Sequence, residues 1–214
     1  VRAAHARFPA LHDVDIELDG GDDDDDVESD GEDENVVPGL QLLLPQLARF
    51  TSISELNLRD QGLVSFPASL CGLTGLKKLN LFRNKIATLT DAIGDLKELT
   101  DLHVGGNQLT ALPGTLGALT RLTELNAYHN KLATLPDSMA ALTALKTLNL
   151  SYNKFTTFPK PIVKLTSLTE LNLFDNQLVT LPDSIAALAA LKDLNLDRNK
   201  FTTLPKPIVK LTSL

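Results

Sequence analysis

Cysteine occurs once in the 214-residue chain, so no internal disulfide can form, and no Cys/His cluster shows metal-ligand spacing. Tryptophan is absent and aromatics make up 5% of residues, so any core has to be mainly aliphatic, with Phe155, Phe158 and Phe201 joining the leucines. No apolar run approaches the ~18 residues that cross a bilayer as a helix. Residues 1–12 carry no continuous apolar stretch of the kind a secretory leader needs. These absences point to a cytoplasmic, reducing compartment, with no membrane association and no cofactor expected. The chain opens on Val1 and closes on Leu214, and it reads as a piece of a larger protein. What is abundant is leucine, at 44 positions, set among 12 glycines and 11 prolines.

Charge is distributed unevenly. Net charge is −7, but from Asp13 to Glu34 there are 14 acids and no Lys or Arg, whereas residues 53–214 carry 17 basic and 13 acidic groups. Residues 20–35 contain GGDDDDDVESDGEDE, which buries too little apolar area to offset chain entropy; an acidic disordered linker is expected. Residues 1–19 ahead of it read as a possible remnant of an upstream domain, with a short strand expected at Val14–Leu18. After it, Leu40, Leu43, Leu44, Leu47 and Phe50 show helical spacing, so residues 36–52 are expected to form an N-terminal helical cap that Pro45 interrupts.

The remaining chain, 53–214, falls into seven units of 23 residues without insertion, beginning at Ile53, Leu76, Leu99, Leu122, Leu145, Leu168 and Leu191; Leu214 starts an eighth. The unit reads L-x-x-L-x-L-x-x-N-x-L-x-x-L-P-x-x-I-x-x-L-x-x, as in LTELNLFDNQLVTLPDSIAALAA at 168–190. Positions 4 and 6 alternate with polar residues at period two and point inward from a short strand. Asn at position 9, in six units, can donate to and accept from backbone groups where the chain leaves the strand. Proline at position 15, again in six, stiffens the return. Apolar residues at 18 and 21 suit a helical or 3-10 turn.

A period of 20–29 residues with this leucine pattern is the mark of leucine-rich repeats. The unit resembles that of the intracellular Ras-suppressor and scribble-like proteins with their plant and bacterial relatives. The resemblance implies an α/β right-handed solenoid, a horseshoe with a parallel sheet on its concave face and short helical or 3-10 turns on its convex face. It also implies a curved scaffold that binds other proteins. Every matched position is structural, so no particular partner transfers.

The repeats themselves locate a candidate surface. Units five and seven match at 19 of 23 positions, and three of the four differences lie at positions 3, 7 and 8. Units four and six match at 16 of 23, and again differ at positions 7 and 8. Positions 3, 5 and 7 alternate with buried leucines and face outward on the concave sheet, with position 8 at its rim. Four of the ten Phe and Tyr residues fall in columns 7 and 8. Exposed rings with arginine nearby are the usual composition of binding hot spots. The candidate partner-binding residues are Arg59, Phe82, Arg83, Tyr128, His129, Tyr152, Phe174, Asp175, Asp197 and Arg198. The bland alternative is that the rings only pack on neighbouring strands. Gly105–Gly106 is expected to leave a gap in this face, and the Asn column at position 5 to form a hydrogen-bond ladder between strands.

Other chemistry fits poorly. Asp101, His103, Glu124, Glu170 and Asp193 lie on an open sheet without a desolvating pocket, which argues against catalysis or a metal site. Asp15-x-Glu17-x-Asp19-Gly20 departs from a calcium-binding loop at its third and twelfth positions. A thinly spread positive charge beside a 14-acid run argues against nucleic acid. The sequence therefore predicts a non-catalytic protein-interaction module, in signalling or assembly, that binds a protein through its concave face. The alternative is the sensor region of a larger multidomain enzyme. A third reading is a stability scaffold without a dedicated partner.

Overall fold

The computed structural model describes residues 13–15, 44–46, 50 and 52–211. The expected acidic linker and most of the expected cap lie outside them. Among the described residues eight strands form one parallel sheet in sequence order: β1 (Asp13–Asp15), β2 (Glu55–Asn57), β3 (Lys78–Asn80), β4 (Asp101–His103), β5 (Glu124–Asn126), β6 (Thr147–Asn149), β7 (Glu170–Asn172) and β8 (Asp193–Asn195). Strands β2 to β8 each span positions 3 to 5 of their unit, and the register stacks like positions on like: Leu79 on Leu102, Leu102 on Leu125. Seven 3-10 turns, from Ala68–Gly72 to Lys206–Lys210, return the chain on the opposite side. Each comes directly after the position-15 residue, proline in all but the Thr90 unit, whose extended backbone starts the turn. This is the leucine-rich repeat horseshoe expected from the sequence.

The core is a ladder of identical positions. Leu125, Leu132, Leu142 and Leu145 have no exposed surface, and their equivalents in flanking units are likewise buried. Position 9 holds the units together. Asn130 Nδ2 donates to the carbonyls of Val104, Ala127 and Tyr128, while its Oδ1 accepts from Leu109 N–H at 2.9 Å. One buried amide thus satisfies backbone groups of two units, at the bend where no strand partner is left for them. The far side of the seventh unit is less covered, and Leu204 is 74% exposed where its equivalents are buried.

A strand occupies Asp13–Asp15, overlapping the start of the expected Val14–Leu18, whose residues 16–18 lie outside the described residues. It pairs with β2 in the repeat register, Val14 on Leu56, and so adds a strand to the array's own sheet. Residues 44–46 are helical with Leu44 buried, and Ile53 N–H donates to Phe50 O at 3.1 Å, the bond that Leu76 makes to Leu73 in the next unit.

Candidate functional site

The residues just past each strand build the site. At position 5 the side-chain Oδ1 of Asn57, Asn80, Asn126, Asn149, Asn172 and Asn195 accepts the position-7 N–H of the same unit, at 2.9–3.3 Å. This corrects the expected inter-strand ladder: the amide oxygen makes a local turn of the kind Asn favours instead of bridging to the next strand. The chain then enters the left-handed region at position 8, with φ between 50° and 62° at Asp60, Arg83, Gly106, His129, Tyr152, Asp175 and Arg198. Position-8 N–H groups donate to the position-7 carbonyl of the next unit, as Tyr152 does to Phe174 at 2.9 Å. Side chains at 7 and 8 are thereby fanned along the rim of the concave face.

The fan gathers the candidates into two groups. In the first, the Phe82 ring stacks on His103 at 5.0 Å and 10°, and Tyr128 tilts against both. Arg59 and Arg83 place their guanidinium groups 5.0 and 5.3 Å from the Phe82 ring centre. In the second, Tyr152 meets Phe174 edge-on at 5.2 Å and lies 6.1 Å from His129, while Arg198 lies 5.2 Å from the Phe174 ring centre. Asp175 approaches Arg198 at 3.7 Å, and Asp60 binds Arg59 at 2.7 Å. Such ring and cation contacts stabilise by about 0.5–1.5 kcal/mol each. Asp197 stands apart from both groups: its N–H binds Asn195, and none of the ring contacts involves it.

Two expectations are corrected here. Phe82 is not an exposed anchor: it is 9% exposed, roofed by the two arginines and His103. Tyr152, at 44%, is the exposed Phe or Tyr ring among the described residues. Nor do Gly105 and Gly106 leave a gap. A Cβ on Gly105 would stand 2.6 Å from Tyr128 Cδ1, and one on Gly106 3.1 Å from Phe82 Cε2. The glycines are the floor on which the flanking rings close.

Sequence reasoning misses His103 as a member of the first group, because one imidazole in a column of Asn carries no signal of its own. Its pKa is held below the ordinary value by burial first and by the Arg59 charge second. Burial also raises the Tyr128 hydroxyl, against the opposing charges of Arg83 and Arg59. Among the described residues no group of three or more His, Cys, Asp or Glu side chains is placed to hold a metal ion. Cys71, buried on the convex side, has its thiol raised to about 11 by burial and by Asp95, so it is protonated at neutral pH.

Three recesses are formed by the described residues. On the concave face, a hollow of about 440 Å³ lies over positions 3 to 5 of β2–β4 and Glu124. A second, about 200 Å³, lies over the same positions of β6–β8. On the convex side a groove of about 520 Å³ runs between the 3-10 turns Lys160–Lys164 and Asp183–Ala187, lined by Phe158, Val163 and Pro182.

Comparison with known proteins agrees with this architecture. The family model described as leucine-rich repeat region matches residues 35–172, and the leucine rich repeat model matches 167–188. A leucine-rich repeat protein of Leptospira interrogans is similar in structure, with 32% identity and a TM-score of 0.73, over 79% of this chain and 49% of that one. So is the ectodomain of the Arabidopsis thaliana receptor kinase GASSHO1/SCHENGEN3, in complex with CASPARIAN STRIP INTEGRITY FACTOR 2, at 29% identity and TM-score 0.71, over 79% and 21%. The Arabidopsis receptor kinase HAESA, in complex with the peptide hormone IDA and the co-receptor SERK1, matches at 29% and 0.67, over 76% and 29%. The chain thus spans half or less of the length of these relatives. Curated proteins gave no match.

Proposed function

The chain belongs to the leucine-rich repeat family, and from that premise we propose that it is a non-catalytic docking module that holds a protein partner on its concave face. The observation that carries this reading is Tyr152. It exposes a large ring at a backbone φ of 52°, where Gly, Asn or Asp would be less strained, beside Phe174 and Arg198. A sheet that needed only stability has no use for a strained, solvent-facing tyrosine. Support also comes from the two receptor kinases, which are seen in complex with protein or peptide ligands. A place in cytoplasmic signalling or assembly completes the proposal.

The test is capture of partners from a host lysate by three forms of the chain. These are the wild type, Tyr128→Ala/Tyr152→Ala/Phe174→Ala on the concave face, and Lys160→Glu/Lys164→Glu on the convex face, matched for folding by circular dichroism. Proteins retained by wild type and the convex variant but lost from the concave variant are expected. Loss confined to the convex variant would overturn the choice of face. The reading as a sensor region of a larger enzyme is favoured by the receptor kinases among the similar structures. The full-length coding sequence tests it, through a kinase, GTPase, protease or ligase motif beyond these residues.

A further inference from the structure

The outward columns of the sheet differ in charge. Position 3 presents Glu55, Asp101, Glu124, Glu170 and Asp193, with Lys78 the one cation among the described residues, and Lys78 is already bound to Glu55 at 2.8 Å. Asp101 sits opposite Glu124, and Glu170 opposite Asp193, on adjacent strands about 4.8 Å apart. Among the described residues Glu124, Glu170 and Asp193 have no cationic partner. Like charges so placed repel and destabilise the sheet. The rim beyond the rings is positive on balance, with Arg83, Lys85, Lys131, Lys154, Arg198 and Lys200 against Asp60 and Asp175 at positions 8 and 10.

Between the carboxylates and the rings runs the position-5 column. Its Oδ1 atoms are tied to position-7 N–H groups. The Nδ2 donors of Asn80, Asn126, Asn149 and Asn172 meet no acceptor among the described residues, which leaves them for a ligand carbonyl. Both concave hollows lie over columns 3 and 5.

Resting on the concave-face reading, we propose that the docked element is an extended segment of a partner protein with two basic side chains four residues apart. It lies across the strands, with backbone carbonyls over the Asn column and one Lys or Arg between each pair of facing carboxylates. The spacing comes from geometry. The midpoints of the Asp101/Glu124 and Glu170/Asp193 pairs are three strand intervals apart, about 14 Å. Extended chain advances about 3.4 Å per residue, so residues i and i+4 span that distance and point to the same side. In a helix the same pair would be only about 6 Å apart. The positive rim keeps such a segment on the position-3 side and so fixes its placement.

The probes are three labelled nine-residue peptides of threonine and valine: one with lysine at its third and seventh positions, one with the two lysines adjacent, one with aspartate at the third and seventh. Their affinity for the full chain is read by fluorescence anisotropy at low ionic strength. Wild type is expected to prefer the spaced-lysine peptide over both others. Glu124→Gln/Glu170→Gln/Asp193→Asn should weaken it about tenfold or more while leaving the melting temperature equal or higher. The convex set Asp91→Asn/Asp95→Asn/Asp137→Asn, which removes the same charge, should leave it unchanged. Equal loss in the convex set would reduce the effect to bulk attraction and overturn the proposal, as would equal affinity for the two lysine peptides. Preference for the aspartate peptide, abolished by Tyr152→Ala, would overturn the basic-partner chemistry while keeping concave docking. Absence of binding by the spaced-lysine peptide would overturn the inference, with the capture experiment judging concave docking separately.

Discussion

Tyr152 and His103 are held in the candidate site in opposite ways. Tyr152 holds a left-handed conformation that costs a non-glycine residue about 1–2 kcal/mol, offset in part by its edge contact with Phe174. Tyr152→Asn relieves the strain and forfeits the ring. Its unfolding free energy should stay within about 1 kcal/mol of wild type, while partner capture falls. Urea unfolding and capture, done on the same preparation, check both halves. His103 is half-buried beside Arg59, so its folded pKa is depressed while the unfolded chain titrates near 6.5. Below that value the unfolded state binds the proton more readily. Stability should therefore decline as pH falls through about 6.5 towards the folded pKa and level off beneath it. Melting curves of wild type and His103→Gln should keep a constant offset at high pH, and the offset should change on acidification as only the wild type loses stability through this group.

The left-handed position is also where the sequence is hardest to read. Gly106, Asp60, Asp175 and His129 are types that tolerate positive φ, and together they form a signal. Arg83, Tyr152 and Arg198 in the same column mask it. The position-5 asparagines mislead for a different reason: one amide can serve a strand ladder or a local turn equally well, and only the register decides. Phe82 looks exposed in the sequence because an outward-facing position on a sheet suggests contact with solvent, whereas neighbouring arginines and a histidine cover it.

At the scale of elements, the 3-10 turns decide how closely units approach on the convex side. Gly117 lies within the turn Gly114–Ala118, and a Cβ there would stand 2.3 Å from Ser138 O of the next turn. The same slot two units later is Val163, and there the convex groove opens. Gly117→Ala has to push backbone against backbone, so a loss of about 1–3 kcal/mol is expected. Gly114→Ala, in the same turn with nothing within 4 Å of its Cβ, should be neutral or slightly stabilising. Thermal unfolding of the pair separates close packing from backbone entropy. The elements themselves are legible, because a leucine period of 23 without insertion allows one unit design. The pairing of β1 with β2 is not, since a three-residue strand ahead of a long acidic run carries too little pattern to declare its neighbour.

The whole molecule divides its tasks between two faces. Repetition fixes the core and the convex turns, and the concave columns are left free to vary in ring, charge and strain. Thr147 lies mid-sheet, on β6, the strand that leads into Tyr152, and Ala187 is exposed on a convex turn. The most direct test is a photo-crosslinking amino acid placed at Thr147 or at Ala187 of the full chain, irradiated in host cells. A docking module of this design yields a discrete crosslinked protein from Thr147 and none from Ala187. Adducts formed from Ala187 alone, or equally from both, would contradict it.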